Sequence, residues 1–123
     1  MEETILQSIK NDLGISTDYD AFDSTVKADI NSAFVTLYEL GIGSDAPYRI
    51  ETGEETWGDI SDREEIVRML RPYIYMRVRL MFDPPSSSYL LESLSKQISE
   101  FEWRLNVLVE TPSLGGISPI EEE

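Results

Sequence analysis

The stretch that most limits what this chain can become is YIYMRVRLMFDPP, Tyr73 to Pro85. Ile74, Met76, Val78, Leu80, Met81 and Phe82 put apolar surface on almost every face of the helix they would form, with Arg77 and Arg79 set among them. A helix that is apolar on several sides needs neighbours on several sides. Pro84 and Pro85 then force an extended turn, so the helix stops at a fixed point. Nothing in the segment is catalytic.

The flanking sequence supplies candidate neighbours. Ile5, Leu6, Ile9 and Leu13 share one side of a short helix spanning Glu2 to Leu13, and Gly14 is placed to end it in a left-handed conformation. A second helix carries the stripe Val26, Ile30, Ala33, Phe34, Leu37 and Leu40, with Asp23 or Ser24 as its cap and Gly41 at its end. Helical periodicity is lost from Ile42 to Asp59. There Tyr48 and Ile50 alternate with Arg49 and Glu51, which predicts a small β-hairpin turning near Gly53, or an extended loop. Two strands alone are marginal in water, so this segment must lean on the helices or on another subunit.

Ser61-Asp62-Arg63-Glu64 matches a capping box and opens the third helix, which contains Pro72 and should kink or restart between Arg68 and Pro72. Ser86 can cap a fourth helix whose seam Leu91, Leu94, Ile98, Phe101, Leu105 and Leu108 steps by three and four. The expectation is an all-α, four-helix bundle-like domain over residues 1–110 with a flexible, extended C-terminal tail over 111–123. At 123 residues one domain is long enough to bury a core without staples.

Charge and missing residue types exclude several chemistries. The chain has no cysteine, so thiolate catalysis, disulfides and cysteine-bound metals are out. It has no histidine either, which removes the usual general base and the Glu-x-x-His pairs of dimetal bundles. Asp18, Asp20 and Asp23 suggest part of a calcium loop, but the glycine and glutamate such a loop requires would fall on Asp23 and Asp29. Glu92, Glu100 and Glu102 read as exposed helix charges. No cofactor, metal or enzymatic activity is expected.

The net charge of -14 is uneven: -11 up to Asp62, zero from Arg63 to Glu110, and -3 from the final glutamates. Such a surface repels nucleic-acid phosphates. The first residues lack a basic, then apolar, leader and no run is long enough to span a membrane, so a soluble intracellular protein is expected.

Binding residues stand out more clearly than catalytic ones. Trp103 and Arg104 lie partly off the seam, and their residue types are enriched at binding hot spots, although Trp103 can also pack within its own subunit. Arg77 and Arg79 can pair with acids inside one subunit or across a contact. In the tail, Leu114, Ile117 and Ile120 recur every third residue, the pattern of a peptide that docks on a partner or of a disordered end.

Three segments, INSAFVTLYELGIG from Ile30 to Gly43, YIYMRVRLMFDPP, and ISEFEWRLN from Ile98 to Asn106, together resemble the head-tail connector (adaptor, or head-completion) proteins of long-tailed bacteriophages. With the LGI and AFD segments before them, the resemblance covers most of Leu13 to Asn106. It implies a structural protein of the virion neck, assembled in the host cytoplasm as a closed ring of roughly a dozen copies. It also implies contact with the portal protein above and with a stopper or tail protein below, while DNA passes through the ring without specific binding. Under this resemblance Tyr73, Tyr75, Arg77, Arg79, Phe82, Trp103 and Arg104 are candidates for the contact between copies, and Leu114, Ile117 and Ile120 for portal docking. An acidic DNA mimic that blocks a host DNA-binding protein is the competing expectation.

Overall fold

The computed structural model describes residues 3–42, 47–60 and 63–110. It contains four helices, α1 (Ile5–Leu13), α2 (Asp23–Glu39), α3 (Glu64–Phe82) and α4 (Ser88–Glu110), plus a 3₁₀ turn at Trp57–Asp59. The domain is all-α. Among the described residues there is no strand, only an isolated antiparallel bridge between Thr4 and Thr56. The tail from 111 onward, with Leu114, Ile117 and Ile120, lies outside the described residues.

The multi-sided helix is the hub, because α3 packs against α1, α2 and α4. Leu70, Tyr73, Ile74, Met76 and Val78 are its buried residues, and they join Ile5, Ile9, Val26, Ile30, Phe34, Ile98 and Leu105 in a single core. Each such aliphatic side chain contributes about 1.5–3 kcal/mol on burial. The helix is uninterrupted through Pro72, so the expected restart is absent. Proline removes one backbone hydrogen bond there, while the buried residues on either side hold the helix in one piece.

Helix ends differ from the sequence expectation by a few residues. Thr4, not Glu2, starts α1: its hydroxyl accepts from Gln7 N at 3.1 Å, and the Gln7 side chain accepts from Thr4 N at 3.1 Å. Gly14 ends it with φ of 83°. At α2 neither Asp23 nor Ser24 caps, since Phe22 takes the cap position and Asp23 is the first helical residue. The Asp23 carboxylate turns instead to Lys10, whose Nζ lies 2.7 Å from Oδ1, an ion pair by distance without hydrogen-bond alignment. Arg63 precedes α3 at the cap position, two residues past the expected serine; Ser61 and Asp62 lie outside the described residues. The hydroxyl of Ser87, rather than Ser86, accepts from Leu90 N at 3.3 Å at the start of α4.

In the described part of the linker between α2 and α3, residues 47–60, there is no strand, so of the two expected forms it takes the extended loop. Ile50 is buried, but the Asn31 side chain on α2 stands where a partner strand would be: its Nδ2 donates to Ile50 O at 2.9 Å and its Oδ1 accepts from Ile50 N at 2.8 Å. The chain reverses at Gly53 (φ 90°), where the N–H groups of Glu51, Thr52 and Gly53 all donate to the Glu55 carboxylate at 2.8–3.2 Å. Those donors therefore form no ladder. Beyond the turn, Ile5 N donates to Glu55 O at 2.9 Å, and Trp57 Nε1 donates to Ser8 Oγ at 2.9 Å, fastening the loop to α1.

Candidate assembly surface

The sequence candidates separate into one internal clasp and two surface regions. Tyr73 is fully buried, and a buried phenol needs a polar partner. It finds one in α4, where its hydroxyl donates to Glu102 Oε2 at 2.7 Å. The Arg77 guanidinium sits 3.7 Å from the same carboxylate and donates through Nη2 to Thr36 Oγ1 on α2 at 3.3 Å. Three helices thus meet at one half-buried acid. Burial, and then the hydrogen bond and charge of Glu102, hold the Tyr73 phenol well above its ordinary range, with Arg77 opposing them. Arg77 Nε is buried with no hydrogen-bond partner among the described residues, so the guanidinium is only partly satisfied.

This placement alters the reading of two candidates. Tyr73 has no surface to offer a neighbour, because the 3/4 spacing that made α3 look accessible on all sides is consumed by α1, α2 and α4. Arg77 pairs within its own subunit. Glu102, read from sequence as an exposed charge, is instead the acceptor that joins the helices. Its spacing carried the signal, since it follows Ile98 by four and precedes Leu105 by three, and both are buried.

One residue beyond Glu102, Trp103 is 68% exposed and stands outside the core. With Leu40, Asn106 and Val107 it lines a cleft of about 300 Å³ between the end of α2 and α4, with Glu102 at its wall. Asn106 Nδ2 donates to Leu40 O at 3.3 Å and closes one side. Arg104 projects beside it, paired with Glu100 at 2.9 Å and 5.9 Å above the Phe101 ring.

The second region lies where α3 gives way to α4. Tyr89 is 78% exposed and Leu90 53%, with Leu91 also exposed. Only the middle of the predicted seam is buried, at Ile98 and Leu105, with Leu94 and Phe101 packed against the core. The first turns of α4 therefore carry exposed apolar side chains. Arg79, Pro85, Leu90, Ser93, Leu94 and Gln97 surround a hollow of about 160 Å³ there. Arg79 donates to Asp83 O and to Tyr75 Oη, both at 3.3 Å, and meets no carboxylate among the described residues. Tyr75 is half-buried against the core, and Phe82 meets Phe22 edge-on at 5.2 Å.

A feature the sequence reading missed is Lys10, whose side chain is 3% exposed. Its ammonium donates to Tyr19 O at 2.8 Å and Thr17 O at 3.3 Å and pairs with Asp23, so the supposed calcium loop is wrapped around a lysine. No group of three or more acidic side chains poised for a metal occurs among the described residues. None of their helices is long and apolar enough to cross a membrane.

Among the described residues the site consists of an internal polar clasp and two exposed apolar regions. No curated protein and no solved structure matches the chain. The sequence profile of phage connector proteins matches residues 5–112, from the first turn of α1 to just past the end of α4. With nearly all of the described fold inside that match, the chain belongs to the phage connector protein family.

Proposed function

We propose that this virion protein assembles as a closed ring between the portal and the tail or stopper, leaving a channel through which DNA passes. The observation that carries this reading is the family match over residues 5–112, which assigns a structural connector role. The exposed Trp103 and the Tyr89–Leu91 end of α4 support it, because large apolar side chains left exposed on a protein with net charge -14 suit a specific partner. The acidic first half faces the channel in this reading, where no phosphate finds a counter-charge and DNA slides without sticking. The tail residues Leu114, Ile117 and Ile120 engage the portal. The DNA-mimic reading rests on charge alone and gains nothing from the fold or the family.

Electron microscopy of the protein alone and mixed with portal rings tests the proposal. Annular particles coaxial with the portal are expected. A ring with a basic lumen and its acids outside would overturn the channel assignment.

A further inference from the structure

Tyr89 and Trp103 lie 14 residues apart on α4, which places them about 21 Å apart along the axis and within about 40° of the same face. Between them on that face stand Glu92, Lys96 and Glu100, all exposed. The two apolar regions differ in shape. The Tyr89–Leu91 end is an exposed helix end, with Tyr89 78% accessible, whereas Leu40, Trp103 and Val107 border a cleft of about 300 Å³, at the small end of ligand pockets and sized for a side chain or two.

They also differ in charge. From Pro84 to Leu91 no side chain carries a charge at neutral pH, and the cation that shares the hollow with Leu90 is Arg79, which lacks a carboxylate partner among the described residues. The cleft has Glu102 at its wall and the exposed Glu39 next to Leu40. Glu102 is already held by Tyr73 and Arg77, so the cation on one side matches the exposed Glu39 on the other, in a protein whose copies otherwise repel.

Two copies can cover these surfaces in two ways. An antiparallel α4 pair that stacks Tyr89 on Trp103 also sets Glu92 against Glu100 and Lys96 against itself, so like charges meet at each position. A head-to-tail contact avoids this. It also leaves each copy of a pair with one exposed helix end and one cleft still to be matched, which is the requirement for a ring rather than a dimer.

We propose that the Tyr89-Leu90-Leu91 end of α4 in one copy inserts into the Leu40–Trp103–Val107 cleft of the next, with Arg79 facing that copy's Glu39. The inference rests on the ring reading above and names the surfaces that make the ring. A fully covered aromatic side chain buries about 150–250 Å², so Tyr89 and Trp103 form the centre of the contact rather than the whole of the roughly 800 Å² per partner that a stable interface uses.

The absence of native cysteine makes disulfide trapping direct. Ser88→Cys and Val107→Cys stand about 28 Å apart within one chain, too far to close internally. An equimolar mixture of the two single variants under mild oxidant is expected to yield a cross-linked pair at least tenfold above either variant alone, and the double variant a ladder extending beyond dimers. A ladder that stops at dimers, or no cross-link in the mixture, overturns the proposal. Trp103→Ala, at an exposed position, should keep wild-type circular dichroism and lose at least tenfold in ring particles. Rings that persist in Trp103→Ala, without the cross-link, would leave the ring reading standing and this interface wrong. Neither rings nor cross-links, with or without the portal, would refute both.

Discussion

Replacing Glu102 with alanine should destabilise the domain by about 3 kcal/mol, far more than an exposed helix charge. Two losses add to this figure. The charged hydrogen bond from Tyr73 contributes about 1.5–3 kcal/mol, and removing its acceptor strands a buried hydroxyl at a further cost of about 1 kcal/mol or more. Arg77 loses an ion pair that is at most half-buried and 3.7 Å long, a smaller effect of up to about 1 kcal/mol. Urea unfolding followed by far-ultraviolet circular dichroism measures the total, and an unchanged m-value shows that the same surface is exposed. A cycle with Tyr73→Phe isolates the pair. Phenylalanine leaves no hydroxyl to strand, so Glu102→Ala should cost about 1.5–2 kcal/mol less in that background. A loss below about 0.5 kcal/mol for Glu102→Ala, or no coupling to Tyr73→Phe, would refute the clasp.

Lys10→Ala should cost about 2–3 kcal/mol, because Asp23 and two carbonyls lose their shared cation; hydrogen exchange should then rise first across Ile15–Phe22. Asn31→Ala removes both hydrogen bonds to Ile50 and should cost about 2 kcal/mol, with limited proteolysis cutting sooner between Tyr48 and Thr56. At Glu55 burial acts to raise the carboxyl, but the N–H groups of Glu51, Glu55, Thr52 and Gly53 together outweigh it and hold the group at about 2 against an ordinary 4.5. A depressed acid contributes stability that is fully present above pH 4.5 and lost as pH falls toward 2. Screening at this solvent-accessible site limits it to about 1 kcal/mol. The stability gap between wild type and Glu55→Gln should therefore be constant from pH 5 to 7 and shrink steadily below that; a gap independent of pH would show that the carboxylate plays no such part.

Helices were legible because their signal is repetitive and local. Gly14 reports the end of α1, and the α2 stripe from Val26 to Leu37 and the pair Ile98 and Leu105 report burial through spacing; each was found where the spacing put it, whereas Leu40, the last of the stripe, is exposed. The hairpin failed for the opposite reason. Alternation at Tyr48–Ile50 reports one buried face and an extended backbone, but it does not say what satisfies the backbone, and here a side chain 19 residues earlier does so. Lys10 was hidden in the same way: its partners, Thr17, Tyr19 and Asp23, are brought to it by a loop whose path periodicity does not encode. At the assembly surface, sequence singled out Trp103 and Arg79 by residue type but assigned Tyr73 outward, because a helix apolar on all sides does not announce which side a neighbour within the chain will take. Tyr89 and Leu90 precede the seam that starts at Leu91, and spacing alone gave no signal for their exposure.

The central claim is that uncovered apolar surface on this connector is surface meant for other copies and for the virion neck. Cryo-electron microscopy of the protein mixed with portal rings tests it most directly. Closed rings in which Trp103 and the Tyr89–Leu91 end of α4 are covered by adjacent copies are the predicted result. A protein that remains monomeric with and without the portal, or rings that leave both regions open to solvent, would contradict it.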